Sequence, residues 1–554
     1  MSGIAFGIET EYGVLGPTRN PVELSNWVVA AYKAGQSGRV APWDYGSEDP
    51  LNDARGFHLD RAAAHPSLLT DRAGAGLSPD AARLAHDAAR LGQGAARLAH
   101  DAARRSRADR PRPARARLGR SGAAAGREGP GAAMLTNGAR LYVDHAHPEY
   151  AAPETFSARQ AALWDKAGER VMAEAGRRLA AAGKPVSLYK NNTDGQGASY
   201  GTHENYLVPR AVEWNLLVAV MTPFLVTRQV FTGSGRVGLG ARSQEPGFQL
   251  SQRADFIEAE VGLETTLNRP IINTRDEPHA DPARWRRLHV IVGDATMMDV
   301  ATYIRLGLTG LVLRALAAAP PERSWEFARS VRLAAPVAAF TQVSRDLTAR
   351  EGLALKDGGL ASALDLQRRY RDFAVGAIGA PDGEAADLID RWTALLDGLA
   401  RDPMDLGRQV EWVAKYQLLE SLRVRDHLAW DHPKLRAVDL KWTDVEPERS
   451  LFARLAAAGA VETMYSDPEV AWAVNHPPDS TRAYLRGEAL ARHPESVVAA
   501  GWDSLTLAWP GGSARLPLPS PAAGRRDQVE AILAEAASGA DLAERLAGIV
   551  RTWR

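Results

Sequence analysis

The chain has 554 residues, 67 basic against 67 acidic and none of them cysteine. That length exceeds what one core usually organises, so one large domain and at least one smaller one are expected. The missing thiols exclude disulfides, thiolate catalysis and cysteine-ligated zinc, and the neutral charge balance predicts neither a nucleic-acid nor a membrane surface.

The first segment, MSGIAFGIETEYG, lacks the basic start and apolar core of a secretory signal. No uninterrupted apolar run approaches the roughly 20 residues that span a bilayer, so a soluble cytoplasmic chain is expected. GIETEYG at 7–13 reads as a strand with Glu9 and Glu11 on one face and Ile8, Thr10 and Tyr12 on the other. Side chains two apart lie roughly 7 Å from each other, near enough for two carboxylates to repel where water is excluded. A hard divalent cation such as Mg²⁺ relieves that repulsion, taking one or two carboxylates together with substrate phosphates. A half-exposed strand with a solvated acidic face accounts for the same pattern.

Residues 61–132 are dominated by Ala, Arg and Gly, and AARLAHDAAR at 81–90 returns at 95–104. With leucine as the only sizeable apolar residue, this segment cannot offset its ordering entropy, and it reads as a mobile insertion with transient helix over 79–104. The repeat itself accounts for the spacing of His86 and His100.

Beyond it, ARLYVD at 139–144 alternates as a strand, 157–183 has helical periodicity ending at glycine, and VSLYKNN at 186–192 reads as another strand. A Gly-rich turn then leads to YGTHENYLV at 200–208, which predicts a hairpin with VSLYKNN. NLLVAVMTPFLVTRQVF reads as a buried helix, and 294–430 is mostly helical. The last part, with a capped helix in DSTRAYLRGEALARHP, the strand SLTLAW and a helix from about 525, suggests a small domain over 481–554 after a large one over 1–480.

Acidic and imidazole groups accumulate on several of these strands. Asp144 shares a strand face with Arg140 and Tyr142, and Glu149 follows a proline expected to end that strand. His203 and Asn205 lie on one face of their strand with Glu204 opposite, and His289 is the polar residue of LHVIVG. A sheet face collecting Glu9, Glu11, Asp144, Glu149, His203 and His289 needs cations, and holds more than one if it binds a nucleotide triphosphate. Arg253, Arg275 and Arg482 are candidates to meet phosphate, since a guanidinium gives two parallel charge-assisted bonds. The glycines of TGSGRVGLG, Gly233, Gly235 and Gly238, follow a helix rather than a strand, so the dinucleotide-binding reading fails on context.

GIETEYG, TNGARLYVDHAHPEY, KNNTDGQGASYGTHENYL, FQLSQRADFIE, INTRDEPHAD, RLHVIVGDATM and PPDSTRAYLRG, in this order, resemble the Pup ligase and depupylase family, relatives of glutamine synthetase. The resemblance covers nearly the whole chain outside 61–132. It implies an α+β fold: a large glutamine synthetase-like domain with a curved antiparallel sheet cradle packed by helices, plus the small C-terminal α/β domain. WDYGSEDPLNDARGF with its long insertion, and the wording of TNGARLYVDHAHPEY, favour the amidase side of the family.

The resemblance further implies Mg²⁺ and ATP, or ADP with phosphate, with Glu9, Glu11, Glu149 and His203 as metal ligands. His203 also supports phosphate, Arg253, Arg275 and His289 meet the phosphates and developing charge, Arg482 joins the cofactor site, and Asp144 is the catalytic aspartate. The implied partners are Pup and pupylated proteins, with the proteasomal ATPase as a further candidate. The expected reactions are deamidation of the C-terminal Gln of Pup and cleavage of its isopeptide bond to lysine. Ligation through a γ-glutamyl phosphate and a non-catalytic Pup binder are the alternatives.

Overall fold

The computed structural model describes residues 4–60, 64, 131–550 and 553. Nearly all of the 61–132 insertion lies outside them.

The alternation after Ala5 forms strand β1 (Phe6–Glu11), whose apolar residues Phe6 and Ile8 are buried on one side while Glu9 is half-buried on the other. In chain order there follow β2 (Gly13–Leu15), α1 (Pro21–Ala34), β3 (Val40–Pro42), the short ribbon β4 (Asn52–Asp53) and β5 (Phe57–His58), β6 (Ala133–Leu135), β7 (Arg140–Asp144), β8 (His147–Ala151) and α2 (Ala158–Ala181). Next come β9 (Ser187–Tyr189), β10 (Thr202–Pro209), α3 (Trp214–Thr227), α4 (Gln229–Thr232), β11 (Arg236–Leu239), β12 (Glu245–Gln249), β13 (Ala259–Gly262), β14 (Pro270–Asn273), β15 (Trp285–Val290) and α5 (Asp299–Ala318). Asn20 caps α1 and Ser157 caps α2 with side-chain oxygens that accept first-turn backbone N–H groups.

Nine strands form one sheet in the order β13-β14-β15-β10-β1-β8-β7-β6-β3. Every pairing in it is antiparallel except β13 with β14. The fold is therefore mixed α/β with a large, mostly antiparallel sheet.

One face of this sheet is covered by helices. Gly310 of α5 lies against the Phe6 ring so closely that an added Cβ would sit 2.7 Å from it, so this crossing requires glycine. Among the described residues α5 alone is long and apolar enough to cross a membrane, yet 89% of its most apolar window is buried inside the protein. It is a core helix.

The same covered face holds two buried ionic networks. Glu204 of β10, fully buried, accepts from Arg228 Nη1 at 2.8 Å and from Tyr206, and Arg305 Nε lies 3.6 Å from it. Beneath β1, Thr10 donates to Asp165 at 3.0 Å, and Lys190 Nζ donates to Asp165 at 2.7 Å and Glu169 at 2.8 Å.

Two local expectations are corrected. β9 pairs with β2, not with β10, and β10 instead lies between β1 and β15. The turn signal at 193–199 is real, closing an isolated bridge between Thr193 and Ser199, but the chain on either side diverges to non-local partners. Nor does Pro148 end a strand: it lies within β8 opposite Val143. Its carbonyl accepts from Tyr12 N at the end of β1, so its missing N–H faces that same side and the ladder to β7 loses nothing.

Residues after 481 contribute helix Ala483–Arg492, three antiparallel strands (Val497–Gly501, Ser504–Trp509, Gly512–Pro517) and two closing helices. Their apolar cluster includes Leu485, Leu505 and Leu546, and it also takes in Ala41, Trp43, Met134 and Tyr142 from the sheet. The polar fastener is Glu154, which accepts from Arg482 Nε at 2.9 Å and from Arg486 Nη2 at 2.6 Å. Burial raises the Glu154 pKa, but Arg486 and Arg482 outweigh it and bring the group down to about 2.

Because that value lies below the unfolded one near 4.5, the stabilisation is complete above about pH 5 and drains away as pH falls towards 2. Urea unfolding of Glu154→Gln at pH 7 should show a loss of about 3–5 kcal/mol, the cost of breaking a buried pair from one side. The gap between variant and parent should narrow as the pH is lowered through that window.

Candidate active site

The open face of the sheet is where the strand registers converge. Glu9 of β1 stands opposite His203 of β10, and Glu11 stands opposite Glu149 of β8. Glu149 in turn pairs with Tyr142 of β7, and Asp144 pairs with His147 across the β7–β8 turn. Period-two alternation therefore brings four carboxylates from three neighbouring strands onto one surface.

Each carboxylate is held differently. Glu9 accepts from Asn205 Nδ2 at 2.7 Å and from the Tyr142 hydroxyl at 3.2 Å. Glu11 accepts from the backbone N–H of Gly201, and His147 Nδ1 lies 3.5 Å from its other oxygen. Burial pushes Glu11 up, but His147 outweighs it and holds the carboxyl below its ordinary range. The His147 ring is stacked on Tyr200 with centroids 4.2 Å apart. Gly201 is required, since a Cβ there would overlap the His203 ring.

Glu149 is 1% exposed and its Oε1 has no hydrogen-bond partner. Burial, with the charges of Asp144, Glu9 and Glu11, drives its pKa well above the usual carboxylate value. Asp144 moves the other way: burial raises it, but His145, His203 and Arg275 together hold it well below its ordinary range. His145 sits at the turn with φ 51°, its Nδ1 2.9 Å from Asp144 Oδ2, and the Asp144 charge lifts its pKa to about 9.

Two groups of donor atoms are close enough to share a cation. Glu9, Glu149 and His203 form one and Glu11, Asp144 and His145 the other, the atoms of each lying within 4.8 Å of one another. The unpartnered Glu149 oxygen and the raised pKa are what a carboxylate-rich cation site looks like without its charge. Three of the four expected metal ligands, Glu9, Glu149 and His203, fall in a single group, and Glu11 falls in the second with Asp144.

Positive and imidazole groups rim this face. His289 of β15 donates from Nδ1 to Asn205 Oδ1, 2.8 Å away, and its ring meets His203 edge-on at 5.2 Å. Burial and the nearby Arg287 push His289 well below its normal pKa, so it is a neutral ring with Nε2 free to accept. Arg275 has a buried Nε without a partner, and its charge reaches Asp144, His145 and His289.

The backbone of Arg275 bridges to Asp53 of β4, and the Asp53 carboxylate accepts from Thr274 Oγ1 at 2.6 Å. The segment 49–54 thus clamps the strand end that carries Arg275. Arg253 is 1% exposed and donates to Ser199 Oγ, the Tyr200 carbonyl and the Ile291 carbonyl. Burial and the neighbouring Arg269 push Arg253 down to about 9.

Arg482 stands apart from the carboxylate groups, engaged by Glu154 and the carbonyls of His279 and Leu518. It does line a cleft with Glu9, Asn205, Arg287 and Trp502. Tyr142 and Asn205, which fix Glu9, were legible as face-mates of Asp144 and His203. His145, His147 and Arg269 were not singled out, because a turn residue, a residue beside a proline and a loop arginine carry no periodic signal.

A face of four carboxylates rimmed by Arg275 and Arg253, neither of which makes an ion pair with a carboxylate among the described residues, has the character of an enzyme active site. Residues 5–506 match the family model described as Pup-ligase protein, and the chain belongs to that family. It is 44% identical over 556 residues to the depupylase of Acidothermus cellulolyticus, covering 98% of this chain and 99% of that protein. It is 43% identical to the Pup deamidase/depupylase of Mycobacterium tuberculosis, covering 98% of each.

Among solved structures, the ligase PafA in complex with the prokaryotic ubiquitin-like protein Pup superposes with a TM-score of 0.69 at 28% identity, covering 96% of this chain and 92% of that one. PafA in complex with ADP gives a TM-score of 0.65 at 34% identity, covering 73% and 89%.

The Glu149→Gln variant should test the cradle in two opposed directions. Calorimetric titration with Mn²⁺ should show at least tenfold weaker binding, because a buried carboxylate ligand is gone. In chelator-treated protein the same change should raise the unfolding midpoint, because four crowded carboxylates become three.

Proposed function

We infer that this chain is an amide hydrolase acting on the tag Pup: it converts the C-terminal Gln of Pup to Glu and cleaves the isopeptide bond between Pup and a target lysine. The observation that carries this reading is end-to-end similarity, above 40% identity across 98% of the chain, to proteins named for those two activities. Chemically they are one reaction, in which a γ-carbonyl exchanges an amine for water.

Asp144 carries the reaction. Its strongly ionised carboxylate, at a half-exposed hairpin tip between His145 and the strand β7, either attacks the γ-carbonyl carbon or aligns the water that does. The two routes demand the same geometry. Glu9, Glu149 and His203 would hold one Mg²⁺ and Glu11 would contribute to a second, supplying charge that polarises carbonyl and phosphate oxygens. Tyr142 and Asn205 orient Glu9, while Gly201 N–H and His147 orient Glu11. Arg275 faces the Asp144 side of the cradle, where it stabilises developing negative charge.

ATP, or ADP with phosphate, is assigned to the cleft beside Glu9. Ala151 and Trp502 give it apolar surface that suits a base, and Arg287 and Arg482 lie at its edge. Residues 481–554 act as a small domain closing that cleft, through Arg482 and Trp502. Amide hydrolysis runs downhill in water, so the nucleotide completes the site rather than fuels it.

Ligation, the activity in the name of the structural neighbours, would consume ATP because it runs uphill. The assay that separates the two is intact-mass analysis of Gln-terminated Pup and of a pupylated protein, with and without Mg²⁺ and ATP. Conversion and release are expected, each requiring nucleotide; attachment of Glu-terminated Pup to lysine instead would overturn the reading. Asp144→Asn should lose both activities by at least about 10³-fold while nucleotide affinity stays within a few-fold.

A further inference from the structure

The motif WDYGSEDPLNDARGF has no part in the chemistry above. Its second half lies against the chain that leaves strand β14. That strand meets β15 at a single pair, Asn273 with His289, so residues 274–277 run on past the ladder. Residues 52–54 take the place of a neighbouring strand there. Ala54 N donates to the Thr274 carbonyl at 2.8 Å and Asp276 N donates to the Asn52 carbonyl at 2.9 Å, on either side of an antiparallel bridge between Asp53 and Arg275.

The Asp53 side chain is 2% exposed as part of its residue and all its bonds are accounted for. Arg55 donates to Oδ1 from N and Nε, both at 2.9 Å, and to Oδ2 from Nη2 at 2.8 Å. These bonds stay within the motif. The one that leaves it comes from Thr274 Oγ1, which donates to Oδ2 at 2.6 Å, and Thr274 is the residue before Arg275.

Arg275 is pinned along its backbone but not at its head. Its N donates to Asn273 Oδ1 at 2.9 Å, whereas its side chain makes no ion pair among the described residues and its buried Nε has no partner. Its charge still reaches Asp144, His145 and Glu277. When a long side chain is not held at its tip, the aim of the tip follows the backbone that carries it. A guanidinium that stabilises developing charge must be aimed before that charge appears.

Other anchors keep this segment in place without Asp53. Thr274 N donates to the Gly262 carbonyl at 2.8 Å, and Asp276 Oδ1 accepts from Arg287 N at 3.1 Å. What Asp53 adds is the orientation of Thr274, and with it the peptide that enters Arg275. We propose that Asp53 is a positioning residue of the amidase: through the Thr274 hydroxyl it aims the Arg275 guanidinium at the Asp144 side of the cradle. The proposal rests on the amidase reading above and on the role given there to Arg275. A carboxylate that merely stapled two loops would add to stability and leave kcat alone.

The test uses full-length enzyme with Mg²⁺ and ATP acting on Gln-terminated Pup. Thr274→Val removes the hydroxyl at nearly constant shape and leaves Asp53 paired with Arg55, whereas Thr274→Ser keeps the hydroxyl. Thr274→Val should lower kcat about tenfold, a misplacement of an ångström being enough, with KM and nucleotide affinity within about threefold of the parent. Thr274→Ser should keep kcat within about threefold. Asp53→Asn should fall with Thr274→Val, and the double variant should be no slower than the slower single one, because both remove one bond. In an Arg275→Lys background, where a flexible point charge replaces the aimed fork, adding Thr274→Val should cost less than about threefold.

The parent's kcat in Thr274→Val overturns the proposal, and so does a change confined to KM or nucleotide affinity. An equal loss in Thr274→Ser would assign the effect to packing, and an equal loss in the Arg275→Lys background would show that the hydroxyl acts elsewhere; either overturns it. Should Asp53→Asn fail to fold, the Thr274 pair decides alone. A parent enzyme that leaves Gln-terminated Pup unchanged would sink the amidase reading, and this role with it.

Discussion

Mutual repulsion among Glu9, Glu11, Asp144 and Glu149 is the constraint around which the rest of the molecule is arranged. Four carboxylates on three adjacent strands, two of them buried outright, would splay an isolated sheet. The sheet holds because its other face is fastened by Glu204 with Arg228 and Arg305, and by Lys190 with Asp165, Glu169 and Thr10. These networks lie directly behind the acidic residues: Glu204 is flanked by His203 and Asn205, and Thr10 by Glu9 and Glu11. Buried ion pairs add little net stability over apolar packing, but removing one partner is severe, so they suit the task of fixing strand register against that repulsion.

The rim is assembled from pieces distant in sequence. Residues 49–54 clamp the strand end bearing Arg275 through Asp53 and Asn52. The C-terminal segment reaches back through Arg482 and Arg486 to Glu154, three residues beyond β8. Trp43 and Trp502 meet edge-on, 4.9 Å apart, with Arg140 lying over Trp43. Each clamp joins a segment next to the cradle strands to one that would otherwise drift, so ordering of the rim is coupled to ordering of the acidic face.

How much of this was legible in the sequence follows from the range of the interactions involved. Glu9 with Glu11, Asp144 with Tyr142, and His203 with Asn205 could be placed on common faces because a strand's period of two is a local property. Pairing is not local. VSLYKNN and YGTHENYLV looked like hairpin partners by proximity, yet each finds its partner across the fold. Pro148 was read as a strand end by a rule that fails where the missing donor lies off the ladder to the neighbouring strand, here β7. Arg253 stood out only through the motif around it, and Arg269 carries no pattern at all, since it meets Arg253 through Ser199 rather than along the sequence.

The same cradle is compatible with two opposite reactions. A carbonyl next to an ionised aspartate, cations and guanidiniums serves bond making and bond breaking equally, because both pass through the same tetrahedral arrangement and charge. The direction is set by what may occupy the space on the amine side. On the role proposed for Asp144, that side is the β7–β8 turn, where Asp144 and His145 are partly exposed while Glu149, two strand positions inward, is sealed. An open turn admits water to the acyl carbon and lets an amine depart, whereas excluding water there is what a ligase must do to protect an activated acyl group. On the role proposed for Asp144, selectivity between hydrolysis and ligation then rests on the residues at this hairpin tip rather than on the acidic face they adjoin.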